Sequence, residues 1–334
     1  MGKRSEHGNL PYFLGHFAGK KICVVGDIIA DVYIFGKPYR LSREAPVVVV
    51  KYEESKIYPG SAGNTINNLA ALGAEVYPVG FIGSDSIGGK LLDFFTSARN
   101  IDTTGIIQHA GETITKTRIL AGDTHVSKQQ VIRIDRNDRR KNTAKEKALL
   151  MERLSAISAR VDAIIVSDYG HGAVNSRVLE FVKDAAKRTI VVGDSRYSLR
   201  KYTGLTIITP NESEAYTLAG LPDDEPIEDV GKKVLSAMDL KALLVTRGNK
   251  GMTLFLRNGK VHHIPISGKD DVTDVTGAGD TVCAAVALSL ASGADFLDAA
   301  KIANYAAGIV VMKRGTATVT VEELRKSIMN GGKI

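Results

Sequence analysis

Lys21-Ile22-Cys23-Val24-Val25-Gly26 decides the fold. The run is short, apolar on consecutive residues and closed by glycine, which is the pattern of a strand buried on both faces. The same form returns at 76–83, 163–167, 190–193, 206–209 and 242–246. Between these runs lie stretches with helical periodicity, at 64–72, 86–98, 144–159, 176–187, 212–218, 228–238, 280–290 and 296–312. Strands apolar throughout and separated by helices need a cover on each side, so the expected fold is α/β, a doubly wound, mostly parallel sheet sandwich.

Two β-branched stretches, 47–52 and 113–136, break the alternation because no helix separates their parts. They predict a small antiparallel sheet outside the main one, built from about 36–58 and 110–136. By the two-residue period Ile114, Lys116, Arg118 and Leu120 share one face, opposite Thr113, Thr115, Thr117 and Ile119. Such a sheet over the carboxyl edge would be a lid that keeps water from a reactive group. Residues 1–17 read as an N-terminal extension and 18–334 as one domain.

The chain of 334 residues has 44% hydrophobic and 24% charged residues, ordinary values for a globular protein. Met1 to Lys20 lacks the apolar core of a secretory signal, and runs such as 282–290 are too short to span a bilayer. Cys23 and Cys283 fall in a strand and a helix without metal or redox spacing, so a reduced, cytoplasmic protein with no membrane partner is expected. The net charge of +7 favours anionic partners. Arg136 to Lys141 is the densest basic run, but no aromatics interleave it to stack bases, so a nucleic-acid partner is not expected.

Chemistry concentrates in Asp274-Val275-Thr276-Gly277-Ala278-Gly279-Asp280, just before an apolar helical run. The glycines clear side chains from a helix start, where backbone N–H groups and the positive end of the dipole can hold a phosphate. Asp280 would sit beside that anion hole as a base for a hydroxyl, with Gly277, Ala278 and Gly279 supplying backbone donors. A helix N-cap without chemistry is the competing reading. Asp274 fits a role at the cofactor, orienting this loop or the metal shell, or a purely structural turn aspartate.

Other nucleotide motifs fail. Gly26-Asp27-Ile28-Ile29-Ala30-Asp31 lacks the glycine spacing of a dinucleotide fold. Gly83-Ser84-Asp85-Ser86-Ile87-Gly88-Gly89-Lys90-Leu91 places its lysine one position late for a P-loop and reads as a strand-to-helix turn capped by Ser84 or Asp85.

Gly60-Ser61-Ala62-Gly63-Asn64, Asn211-Glu212-Ser213-Glu214 and Asp274–Asp280, in this order, resemble the ribokinase (PfkB) family of ATP-dependent carbohydrate kinases over roughly 18 to 330. Within it the chain looks most like the D-glycero-β-D-manno-heptose 7-phosphate kinases, on the route to ADP-heptose, in their stand-alone form. That likeness rests on 26–31, 41–47, 115–118, 132–135, 167–169 and 244–247. The resemblance implies ATP as co-substrate, Mg²⁺, a phosphosugar acceptor, Asp280 as catalytic base and pairing of two copies through the lid sheet. Asn211 and Glu214, three apart, lie on one side of a helix; the spacing suits a helix cap, and the resemblance adds a role at nucleotide and Mg²⁺, with Glu214 acting through water.

Thr246, Arg247, Gly248 and Gly251 resemble the family's nucleotide-phosphate turn, and Asn304 and Ala307 its adenine-pocket wall. On the acceptor side stand Gly60, Asp31 and Asn64 for sugar hydroxyls, and Asp168 at a strand's carboxyl end. Lys116, Arg118, Arg133 and Arg136 could gather over a substrate phosphate, or simply form a solvated lid edge. His171 stands where these kinases usually carry Lys, and Asp194-Ser195-Arg196 where they carry Asp-Pro-Lys.

Overall fold

A computed structural model describes residues 10–122, 128–137, 141–197, 199–267 and 273–331. The chain enters through α1 (Leu10–Leu14) and β1 (Lys21–Gly26), then runs out and back as β2 (Ile28–Leu41) and β3 (Val48–Ser61) before α2 (Ala62–Ala71). After β4 (Glu75–Gly83), α3 (Ser86–Ser97) and β5 (Ile106–His109) comes a second excursion, β6 (Thr115–Ala121) and β7 (Gln129–Arg136). The alternation resumes with α4 (Ala144–Ser158), β8 (Ala163–Asp168), α5 (Ser176–Ala185), β9 (Ile190–Ser195) and β10 (Ile207–Ile208). Then follow α6 (Glu212–Ala219), α7 (Ile227–Met238), β11 (Ala242–Thr246), β12 (Met252–Leu256) and β13 (Val261–Ile264). Helices α8 (Ala278–Ala291), α9 (Phe296–Val310) and α10 (Val321–Met329) close the fold.

The main sheet runs β13-β12-β11-β10-β9-β8-β1-β4-β5, parallel except for the antiparallel β12 and β13. Ile22 and Val24 of β1 join the core built with α2, α8 and α9, while Cys23 and Val25 join the core built with α4 and α5. This burial on both faces is why the strand reads as unbroken apolar sequence. Successive strands move one way from β1 to β4 and the other way from β8 to β11, so the switch lies between β1 and β8, where their carboxyl ends open a crevice.

Asp85, not Ser84, caps α3 by accepting from the Gly88 N–H at 3.0 Å, the structural role expected of the P-loop-like segment. Residues 10–17 are packed rather than appended: Leu10, Leu14 and Phe17 are fully buried, so the compact unit reaches back at least to Leu10. Met1 to Asn9 and 138–140 of the basic run lie outside the described residues.

The second sheet runs β3-β2-β6-β7, with β2 and β6 parallel and the outer pairs antiparallel. Its strands β2 and β3 extend beyond the expected 36–58, because Ile28, Ile29 and Ala30 are rooted in the core and only the far ends project. Pro38 and the bulges at Phe35/Gly36 and Pro38/Arg40 interrupt the two-residue pattern that would have revealed β2 as one strand. Lys116 and Arg118 share a face as expected, and the register adds Asp31, Tyr33, Arg133 and Asp135 to it. Ile34, Ile119, Ile132 and Ile134 occupy the other face.

Candidate active site

The crevice is built from one buried carboxylate outward. Asp280, in the first turn of α8, is 4% exposed. Its Oδ2 accepts from the Asn64 side-chain amide at 2.9 Å, and its Oδ1 accepts from the Tyr169 hydroxyl at 2.8 Å. Burial pushes its carboxyl up to about 6, opposed by those two donors and by Lys116 and reinforced by Asp31. A carboxylate titrating there is ionised at neutral pH yet basic enough to take a proton.

The glycines explain how this group comes so near α2. Gly277 caps α8 at φ 81, and a Cβ there would lie 2.3 Å from Asn64 Nδ2. Gly60 makes similar room for Asp31, whose Oδ2 a Cβ would approach to 2.3 Å. Asn64 is not the cap of α2, a position held by Ser61; its amide points at Asp280 and the Gly277 carbonyl. Asn68 braces Asn64 from behind and accepts from Thr281. The Ala278 N–H closes a turn onto the Val275 carbonyl at 3.2 Å, so of the expected backbone donors it already has a partner.

Asp274 orients the loop. Its two oxygens accept from the N–H groups of Thr276 and Gly315, both at 2.9 Å, which favours its structural reading. Asp168 is held by the protein. Its oxygens accept from the Gly170 N–H, the Ser195 hydroxyl and the Tyr202 hydroxyl, so the buried carboxylate fixes the turn after β8.

On one side of the 274–280 segment, Ala278 and Gly279 border a cavity of about 210 Å³ with Thr246, Gly248, Gly251, Asn304 and Ala307. Residues expected at nucleotide from three separate stretches therefore meet. Arg247 does not join them, since its guanidinium pairs with Glu212 at 2.8 Å. On the other side, Asp274 and Thr276 border a cavity of about 720 Å³ under the second sheet, with Tyr33, Tyr58 and Arg118.

Most lid cations already have partners. Arg118 pairs with the buried Asp31 at 2.5 Å, Arg133 with Asp135 at 2.5 Å and Arg136 with Glu112 at 3.6 Å. Lys116 instead lies 3.5 Å from the Ser61 hydroxyl and 4.9 Å over the Tyr169 ring, with its amine lowered by burial.

Asn211 and Glu214 form the reciprocal capping box of α6, each accepting from the other's N–H at 2.9 Å. Burial raises the Glu214 carboxyl, and Asp194 nearby is raised well above its ordinary value by burial and by Asp280, Glu214 and Asp168. Among the described residues no three such groups are close enough to hold an ion directly. This donor set suits a hydrated Mg²⁺ that keeps its waters and takes further oxygens from phosphate.

A pfkB family carbohydrate kinase model matches residues 19–323. The chain belongs to the pfkB family. As a member it is a carbohydrate kinase, and kinases of this ribokinase-like fold use ATP with Mg²⁺. "Bifunctional protein HldE" of Geobacter sulfurreducens is 42% identical over 329 residues, 97% of this chain and 66% of the relative. The protein of the same name from Caulobacter vibrioides is 37% identical over 314 residues, 92% of this chain and 63% of the relative. The chain thus spans somewhat under two thirds of these relatives' length. Among solved structures, Arabidopsis thaliana ribokinase complexed with ribose and ATP superposes with a TM-score of 0.69 at 21% identity, covering 94% of this chain and 98% of the other. Escherichia coli phosphofructokinase-2 gives 0.77 at 14% identity, covering 93% and 99%. At such identities the likeness shows the pfkB chain's fold alone.

Sequence reading assigned no role to Asp27, Asn68, Tyr169 or Thr281. Each acts through partners distant in the chain; Asp27 and Tyr169 lie in the 26–31 and 167–169 stretches that carry the family resemblance, which is the available sequence signal.

Proposed function

We propose that the chain phosphorylates the anomeric hydroxyl of D-glycero-β-D-manno-heptose 7-phosphate, giving the 1,7-bisphosphate. The observation that carries the reading is the buried Asp280 carboxylate, held by Asn64 and Tyr169, in a segment whose other residues border both cavities. Asp280 takes the acceptor's proton, the freed oxygen attacks the γ-phosphorus in line, and ADP leaves. First-turn N–H groups at Gly279 and Asp280 face the charge that develops on the transferred group. The cavity of Thr246, Gly248, Gly251, Asn304 and Ala307 takes the adenine end. Glu214, with Asp194 nearby, would hold a hydrated Mg²⁺ that neutralises phosphate charge.

Asp31 and Asn64 meet the sugar hydroxyls, and Lys116 with Arg133 meets its phosphate. Relatives at about 40% identity carry the name "Bifunctional protein HldE", and with the likeness of this chain's motifs to the heptose kinases this supports the acceptor and a place in lipopolysaccharide precursor synthesis in the cytoplasm. The apolar outer face of the lid supports a homodimer.

A second reading, a pfkB kinase for a neutral sugar, draws on the pairing of Arg118 and Arg133 with carboxylates. ADP release with Mg-ATP and heptose 7-phosphate, ribose, fructose 1-phosphate or a nucleoside separates them. Heptose 7-phosphate is expected to be the best acceptor; a preference for ribose defeats the acceptor assignment. ADP no higher than the no-acceptor control with every sugar defeats the kinase reading for that panel.

A further inference from the structure

Tyr169 belongs to a loop whose backbone is fixed from two sides. Asp27, buried at the end of β1, accepts from the N–H groups of Tyr169 and His171 through Oδ2 at 2.8 and 3.0 Å, and from Ala173 through Oδ1 at 3.0 Å. Asp168 holds Gly170 between them at 2.9 Å. Four anchor points within five residues, on two carboxylates, leave the loop little freedom, and they deliver the Tyr169 hydroxyl to 2.8 Å from Asp280 Oδ1. Lys116 of the lid lies over the same ring at 4.9 Å. The tyrosine therefore touches both the candidate base and a cation of the lid.

We infer that Tyr169 is a positioning residue: its hydroxyl, braced by Asp27, holds the Asp280 carboxylate in the orientation that receives the acceptor's proton. The inference rests on Asp280 being the base. Asn64 fixes the other oxygen, so without Tyr169 the carboxylate is tethered at one end and free to turn about its Cβ–Cγ bond. A hydroxyl donating to the ionised form also favours that form, so the bond, with that from Asn64, works against the burial that raises the carboxyl and lowers the pH at which the base becomes available. The charged groups facing Asp280 are Asp31 from β2, Lys116 from β6 and Asp194 from β9, and Cys283 lies one turn along α8. None of these is removed by changing Tyr169, so a shift can be read against a constant background.

Tyr169→Phe deletes the donor and keeps the ring under Lys116. With whichever sugar the wild type turns over, kcat is expected to fall about tenfold while KM for ATP and sugar changes less than about twofold. The acid limb of kcat/KM is expected to move to higher pH, because one bond favouring the carboxylate has gone. Fluorinating the ring of Tyr169 site-specifically strengthens the donor and should move that limb to lower pH. Opposite shifts from the two variants support the inference. An acid limb unmoved in both, or a loss confined to melting temperature with unchanged kcat per folded molecule, overturns it. Should Tyr169→Phe not fold, the fluorinated protein alone decides by the direction of its limb. A wild type inactive with every sugar, or an Asp280→Asn variant that keeps turnover, would instead strike at the kinase chemistry or at the base.

Discussion

Asp280 joins the proposed chemistry and the stability of the fold at a single residue. Its carboxyl is raised from 3.8 to about 6 by burial, so the folded protein binds its proton more tightly than the unfolded chain does. Stability from this group is therefore fully present below about pH 4 and is lost as pH rises through about 6, a difference on the order of 3 kcal/mol. Asp280→Asn is expected to lower kcat by at least about a thousandfold. Because the penalty for a buried charge disappears, its melting temperature at pH 8 is expected to equal or exceed that of the wild type; calorimetry at pH 5 and 8 checks this. Gly277→Ala is expected to be poorly tolerated, since it combines a left-handed φ of 81 with a Cβ 2.3 Å from Asn64 Nδ2. A loss of about 2 kcal/mol in urea unfolding is anticipated, with activity falling further than stability. Both positions were legible in the sequence because glycines and aspartate sit within one short segment. Tyr169 was not, because it meets Asp280 across 111 residues of chain.

Elements decide whether the same residues cap, pair or bind. In α6 the reciprocal bonds of Asn211 and Glu214 account fully for a capping box, and sequence spacing alone could not separate that role from metal binding. Glu214→Gln separates them: the amide oxygen can still accept from the Asn211 N–H, so stability should change by less than about 0.5 kcal/mol. The Mg²⁺ concentration giving half-maximal activity should nonetheless rise severalfold; an unchanged Mg²⁺ titration would reduce Glu214 to a cap. In the lid, Arg118→Ala strands the Asp31 carboxylate, since the two side chains are only 12% and 5% exposed. The expected loss is about 3 kcal/mol, against less than about 1 kcal/mol for Arg133→Ala, whose pair with Asp135 is 38% and 35% exposed. Thermal unfolding of the two variants side by side tests that ranking. Arg118 and Arg133 carry the phosphate-binding residue type, but only the strand register reveals that β2 and β7 place a carboxylate beside each.

At the scale of the molecule, apolar runs alternating with helical periods conveyed the layers. Strand order and the antiparallel β12 and β13 were not visible, because nothing in an apolar strand says which neighbour it takes. The lid was visible as an interruption, and its two faces follow from alternation once β6 and β7 pair. One face carries Lys116, Arg118 and Arg133; the other carries Ile34, Ile119, Ile132 and Ile134, with Ile132 and Ile134 50% and 52% exposed. A four-stranded sheet with one polar face over a cavity and one apolar face in water has the form of half an interface. A second copy is its most economical partner, since the same apolar ladder on both chains satisfies a twofold contact and protects the β7 edge. Ile132→Asp combined with Ile134→Asp should convert the assembly to monomers in light scattering at a concentration where the wild type is dimeric. Turnover is expected to fall with it, through a raised KM for the sugar, because the lid that closes the cavity of about 720 Å³ loses its support. A wild type that is monomeric at every concentration tested would leave that face to another partner and remove dimerisation from the account of the lid.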